Sequence, residues 1–369
     1  MASSNTFTSI PILSLAAARE PATKQKFLDD LLSALLHVGF LYLDNTGIPD
    51  DLTEKVCDQT RQFFDENVLP LDEKEKIEMK NEKSFLGWSR LDNETTAGAA
   101  DHREQLDLST PHPIPPSTAP LYHNLLAPNQ WPSTTHLPSF RPIFEDYMTH
   151  LSALSTFFTS LIAEALGMPP TAFNRFFDSN QQHKLKIVKY PESQSNSSDP
   201  PNRQGVGPHK DSMLISFLLQ ASHQAGLQAQ NLDGQWIDAV PIPGTLVVAF
   251  GQGLEAVTGG VCASTTHRVL SPRAGEGARY SVPFFQGVSY DARFEEMDVP
   301  KEVRKLREEK GRKGDDVEFT FRAGRWGHLG EATLANRCKS HPDVAERWYP
   351  ELLAKIREEQ AQTKAAKAV

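Results

Sequence analysis

A chain of 369 residues with 39% hydrophobic content can build a sizeable core, as one large domain or two. Its net charge of −9 argues against nucleic-acid phosphate as the main partner. Three widely spaced cysteines, Cys57, Cys262 and Cys338, suit neither a disulfide framework nor a thiolate metal cluster.

The opening MASSNTFTSIPILSL lacks the basic and apolar regions of a secretory signal, and no apolar run reaches the ~18 residues of a membrane span. A cytoplasmic protein, monomer or homodimer, with no membrane partner is therefore expected. In chain order, Ile10 to Leu15 reads as a short strand. Leu28, Leu31, Leu32 and Leu35 recur at helical spacing and predict a helix from Thr23 to Val38, stopped by Gly39. Phe40 to Leu43 reads as a strand. A second helix, Asp51 to Asn67, places Leu52, Val56, Thr60, Phe63 and Phe64 on one face, as core.

Ser84 to Asp107 is polar and reads as irregular. Arg90, His102, Arg103 and Glu104 within it would reach a substrate if the segment overlies a barrel mouth, and are otherwise solvated loop residues. Proline crowds Pro111 to Pro142, which predicts an ordered but irregular connection rather than a helix. A long helix follows, Phe140 to Leu166, with Phe144, Tyr147, Leu151, Leu154, Phe158, Leu161 and Ala165 on one stripe, ended by Gly167 and Pro169-Pro170. Lys184 to Tyr190 reads as a strand with Lys186, Val188 and Tyr190 on one face. The polar stretch Ser193 to Gln204 is a candidate lid.

Gly207 to Leu219 reads as one strand, and alternation on it points His209 and Asp211 the same way. Gly226 to Val240 is a predicted hairpin turning at Asp233-Gly234, and Leu246 to Phe250 a buried strand. His267 lies in a further predicted strand, Ser264 to Val269. Arg279-Tyr280-Ser281 puts a guanidinium and a hydroxyl on one face, and the alternation carries Pro283 and Phe285 to that face. Glu295 to Glu318 is densely charged and reads as solvated helix and loop, whereas Trp348, Leu352, Leu353 and Ile356 predict a final helix docked on the same chain.

Two imidazoles and one carboxylate form a donor set that suits ferrous iron, and zinc or manganese nearly as well. An arginine fork matches a carboxylate bidentately, and a serine hydroxyl adds a third hydrogen bond. A lone His-x-Asp carries little, but the order His209-x-Asp211, His267, Arg279-x-Ser281 in strand-like surroundings is specific.

With those motifs, and with weaker signposts such as Ile10-Pro11-Ile12, Gly39-Phe40-Leu41-Tyr42, Gly87-Trp88 and Tyr190-Pro191, the chain resembles the iron(II)- and 2-oxoglutarate-dependent dioxygenases of the isopenicillin N synthase-like family, its fungal members in particular. The resemblance implies a mainly β fold with flanking helices, built on a distorted double-stranded β-helix (jelly roll). It implies Fe(II) on His209, Asp211 and His267, with 2-oxoglutarate gripped by Arg279, Ser281 and Tyr190. O2 would be the second cosubstrate, with ascorbate as a reductant for the iron. Phe285 matches a position that often touches substrate, and Arg90 and Val188 are further pocket candidates. Val188 stands where many plant relatives carry asparagine, and Gln252 where a Gly-Asp pair is usual.

The implied activity is oxidation of a C–H bond of a small organic molecule by hydroxylation, desaturation or cyclisation, with secondary metabolism as its setting. One catalytic unit is expected over 1–369, as an N-terminal α/β region (1–110), the β-helix core with its backing helix (111–290) and a charged C-terminal segment (291–369). Two alternatives share these residues. One is an oxidase of the same fold that uses no 2-oxoglutarate. The other is a non-catalytic jelly-roll binding protein, which would need neither the ligands nor the clamp.

Overall fold

The computed structural model describes residues 6–96, 98–193, 203–293, 295–308 and 327–367. Its strands are β1 (Ile12–Ser14), β2 (Phe40–Asp44), β3 (Gly87–Ser89), β4 (Thr95–Thr96), β5 (Ala99–Ala100), β6 (Glu104–Ser109) and β7 (Lys184–Tyr190). They continue as β8 (Gln204–His209), β9 (Ile215–Gln220), β10 (Leu227–Gln230), β11 (Trp236–Asp238), β12 (Leu246–Phe250), β13 (His267–Leu270) and β14 (Arg279–Gln286). Eight of them form one sheet in the order β1-β2-β12-β9-β14-β7-β6-β3, and β11-β10-β13-β8 form a smaller sheet. Facing each other, the two make the distorted double-stranded β-helix.

Alternation along the large sheet separates two cores. Leu106, Leu108, Leu185, Ile187, Phe217, Leu219, Val282 and Phe284 point outward into the main apolar cluster. There they meet α2 (Pro21–His37), which follows the one-turn α1 (Leu15–Arg19), and α3 (Asp50–Phe63), which precedes α4 (Leu71–Lys76). The 26-residue α5 (Phe140–Ala165) also packs there, with every member of its predicted stripe buried. The residues between them point inward: Phe40, Tyr42, Val188, Tyr190, Val247 and Ala249 pack on Val206, Leu227, Ala229 and Val269 of the small sheet. The functional space lies between the sheets.

Two predicted elements need correction. The stretch 207–219 is two strands, because the chain turns at Lys210–Leu214 and passes from the small sheet to the large one. Residues 84–107 are not irregular: β3 and most of β6 come from them and extend the large sheet. Alternation is hidden there because the inward residues Gln105 and Asp107 are polar, although both are buried. The proposed lid 193–204 lies mostly outside the described residues, as do residues 309–318 of the charged stretch.

After the short α6 (Gln252–Val257) and α7 (Lys301–Glu308), the C-terminal helices α8 (Leu329–Ser340), α9 (Pro342–Trp348) and α10 (Pro350–Lys367) dock on the same chain. Leu334, Tyr349, Leu353 and Ile356 pack with Met79, Phe85, Tyr122 and Leu125. Tyr349 Oη donates to Lys83 O at 2.6 Å, and Trp348 Nε1 to Lys80 O at 3.0 Å. Among the described residues, no helix is long and apolar enough to cross a membrane.

Two buried imidazoles outside the metal cluster titrate low. Burial pushes His183, before β7, and His341, between α8 and α9, down to about 4. An unfolded chain would take up those protons near pH 6.5. Their stabilisation is therefore complete above pH 6.5 and is lost as pH falls toward 4, at no more than about 3 kcal/mol each. The melting temperature of metal-free protein should drop across that window, and His341→Gln should make the drop shallower. An equally steep drop in the variant would remove His341 from the account.

Candidate active site

His209 ends β8 and His267 begins β13, and the two stand directly opposite each other in the antiparallel pair. That register brings the imidazole centroids to 4.2 Å. Asp211 comes from the turn just past β8, not from a strand face, with Oδ1 3.8 Å from His209 Nε2 and 3.7 Å from His267 Nε2. All three candidate ligand atoms lie within 4.8 Å of one another, the one such His/Cys/Asp/Glu group among the described residues. The Nε2–Oδ1 separations are shorter than twice a ~2.1 Å metal–ligand bond, so one ion can reach these atoms.

The surrounding groups aim them. His209 Nδ1 donates to Gly207 O at 2.9 Å and His267 Nδ1 to Thr265 O at 3.1 Å, which leaves each Nε2 free to ligate. Ser216 Oγ donates to Asp211 Oδ2 at 2.7 Å, leaving Oδ1 toward the histidines. Burial, and next the neighbouring His267, push His209 down to about 4, so its imidazole is neutral at pH 7, as a metal ligand must be. The turn is held by Gly251, where a Cβ would come within 2.0 Å of Met213 O, and by Gln252 N–H donating to Asp211 O at 2.7 Å. Gln252 thus serves through its backbone. This donor set fits iron(II).

Arg279 and Ser281 open β14 and pair with Tyr190 and Val188 of β7. Arg279 is completely buried. Its Nη2 donates to Gln220 Oε1 at 3.2 Å, and its Cζ lies 5.1 Å from the Tyr190 ring centre. Burial opposes the guanidinium charge and Tyr190 supports it. Arg279 Nε and Nη1 and Ser281 Oγ find no hydrogen-bond partner among the described residues. A buried guanidinium with two unsatisfied nitrogens beside a hydroxyl fits a carboxylate supplied from outside the protein.

The other sequence candidates divide. Phe285 is half-buried on the inner face, paired with Ser216, the partner of Asp211. Val188 is fully buried between Ser281 and Gln105. Arg90 does not belong to the pocket: it lies over Trp88 (5.0 Å), which points to the helix-covered face, and Glu78 and Glu75 bind it at 2.6 and 2.9 Å. Glu104 shares that face, bonded to Lys74 and Trp88. His102 pairs with Asp92 near the surface at 2.8 Å.

Arg103 is mostly buried and bridges Glu94 (2.8 Å) and Asp101 (3.0 Å). Asp101 Oδ1 in turn accepts Gly207 N–H, two residues before His209. Sequence reasoning missed Gln220, Lys184, Asp107 and Arg337. A signal existed for Lys184, which shares the alternation of Lys186, Val188 and Tyr190.

Comparison with known proteins agrees with this geometry. Residues 10–134 match the family model described as the N-terminal region of non-haem dioxygenases in morphine synthesis, and residues 180–288 match the 2OG-Fe(II) oxygenase superfamily. The chain is 63% identical, over 96% of both sequences, to the 2-oxoglutarate-dependent dioxygenase frbJ of Dothideomycetidae sp. (strain 11243). It is 31% identical to a homoarginine-6-hydroxylase of Glycine max, covering 80% of this chain and 90% of that protein. Its fold is similar to that of a full-length Neurospora crassa protein solved in complex with alpha-KG and 5-formyluracil, with a TM-score of 0.69, 23% identity, and coverage of 89% of this chain and 96% of the other.

Proposed function

Because the chain belongs to the 2-oxoglutarate- and iron(II)-dependent oxygenases, an enzyme family that uses Fe(II), 2-oxoglutarate and O2, we propose that His209, Asp211 and His267 hold its iron and that Arg279, Ser281 and Tyr190 hold the far carboxylate of 2-oxoglutarate. When bound, the metal and cosubstrates supply an oxidant able to break an unactivated C–H bond, as 2-oxoglutarate becomes succinate and carbon dioxide. The protein's own part is to hold the target carbon near His209, Asp211 and His267 and to keep water out. Phe285 is a wall of that pocket, because its strand partner Ser216 bonds Asp211.

One observation carries this reading: Arg279, fully buried, keeps two nitrogens unsatisfied beside the equally unsatisfied Ser281 hydroxyl. Nothing structural would require that cost. Hydroxylation of a small molecule in secondary metabolism is the favoured outcome, supported by relatives named as homoarginine-6-hydroxylases. The three stretches 1–110, 111–290 and 291–369 act as one unit, a reading supported by β1, β2, β3 and β6, which complete the large sheet. Succinate should form in step with oxidised product, one for one, in iron-loaded protein supplied with its substrate. Product without succinate would reject the 2-oxoglutarate assignment.

A further inference from the structure

Below the metal cluster, the inner face of β6 and β7 is charged although it is buried. Lys184, Lys186, Asp107, Glu94 and Asp101 are each less than a tenth exposed. Glu94 is bound by Arg103 and Lys186 at 2.8 and 3.0 Å, and Asp101 by Arg103 at 3.0 Å. Asp107 is bound by Lys186 at 3.3 Å and by Arg337, from α8, at 3.1 Å. Every carboxylate here has cations within ion-pair distance, but Lys184 has no carboxylate that close among the described residues, and Asp107 acts on it only from farther away. Lys184 Nζ is buried without a hydrogen-bond partner among the described residues.

Its place in the sheet decides what it faces. Phe285 pairs with Ser216 on one side and with Lys184 on the other, so Ser216, Phe285 and Lys184 form one row on the inner face. At ~4.8 Å per strand, Lys184 sits only about 10 Å from the residue that bonds Asp211. Burial, and next Arg337, hold the Lys184 ammonium well below the ordinary lysine range. Asp107 pulls the other way without overcoming them, and an anion bound closer would add to its effect. Further atoms of the patch lack a hydrogen-bond partner among the described residues: Arg103 Nε, Asp107 Oδ1 and Gln105 Oε1. The last two accept, and suit a donor carried beside the anion.

We infer that this patch is a substrate subsite for a small oxyanion, a carboxylate or a phosphonate, with Lys184 as its counter-charge and Phe285 between it and the metal cluster. The inference rests on the oxygenase reading and adds the substrate class to it. A neutral lipid-like substrate would bring Lys184 Nζ no anion.

The test uses the iron-loaded full chain and three sets of probes matched in carbon skeleton: amino carboxylates, aminophosphonates and the neutral amino amides. Substrate-stimulated succinate release should favour one anionic set over the amides by about 10- to 100-fold in KM, the size of a lost charged hydrogen bond. Which anionic set wins identifies the oxyanion. Lys184→Met should erase the preference and Lys184→Arg should keep it. Lys184→Met should also melt no lower than wild type, since it removes a buried nitrogen that has no hydrogen-bond partner among the described residues. Absence of a preference in the wild type, a preference surviving in Lys184→Met, or a fall of several degrees in that variant's melting temperature would each overturn the subsite. Titration of 2-oxoglutarate in the same samples keeps the two readings apart. Lost cosubstrate binding refutes the oxygenase assignment, and intact binding without anion preference refutes only the subsite.

Discussion

Asp211→Ala is expected to abolish succinate formation. Asp211 supplies the single negative charge among the three candidate ligands and stands 3.7–3.8 Å from both imidazoles through Oδ1. Without it, two imidazoles and no carboxylate remain, a set with poor hold on a hard divalent ion. Ser216→Ala provides the scale. It removes only the hydrogen bond that orients Oδ2, and losses of that kind cost about 10- to 100-fold in metal affinity or activity. Asp211→Ala should exceed the upper end of that range, in iron(II) affinity as well as turnover. Measuring both matters, because a variant that still bound iron(II) like wild type would take Asp211 out of the ligand set whatever its rate. The His267→Ala variant should behave likewise, since its Nδ1 is committed to Thr265 O and only Nε2 faces Asp211.

The second large effect belongs to Arg279. Truncating one partner of a buried, hydrogen-bonded charge pair costs about 2–5 kcal/mol, so Arg279→Ala should raise KM for 2-oxoglutarate by roughly 30-fold or more. Ser281→Ala removes one neutral donor and should cost about tenfold. Arg279→Lys keeps the charge but loses the fork, and should fall between wild type and alanine. Stability separates a binding role from a structural one. Two guanidinium nitrogens lack partners among the described residues, so Arg279→Met should leave the cosubstrate-free protein at least as stable as wild type. An unchanged KM in Arg279→Ala would end the clamp assignment.

Much of this is legible in the residues themselves. The stripe from Phe144 to Ala165 announces α5, because an amphipathic helix must bury one face wherever it packs. The alternation Arg279, Ser281, Pro283, Phe285 places β14 and its inward face correctly. The strand through Asp211 is misleading because the apolar run after Met213 looks continuous with Gly207–His209. The turn that separates them exists only because β8 and β9 belong to different sheets. Arg90 misleads for a related reason. Its neighbour Trp88 pairs with Leu106 on the helix-covered side of the sheet, and no local pattern reports which side of a sheet is lined by helices.

The amino-acid order by itself determined the chemistry on offer: two imidazoles, an acid, a guanidinium and a hydroxyl, with strand periods that keep like-facing residues together. Only the tertiary structure decided that Asp211 hangs from a turn, that Arg337 reaches Asp107 from a helix 230 residues later, and that Lys184 Nζ is buried without a hydrogen-bond partner among the described residues. The physical reason is that a side chain's period is local, whereas burial and charge compensation are set by whatever distant segment packs against it. No local pattern announces that Lys184, Lys186 and Asp107 are buried, or that Arg337 of α8 reaches Asp107.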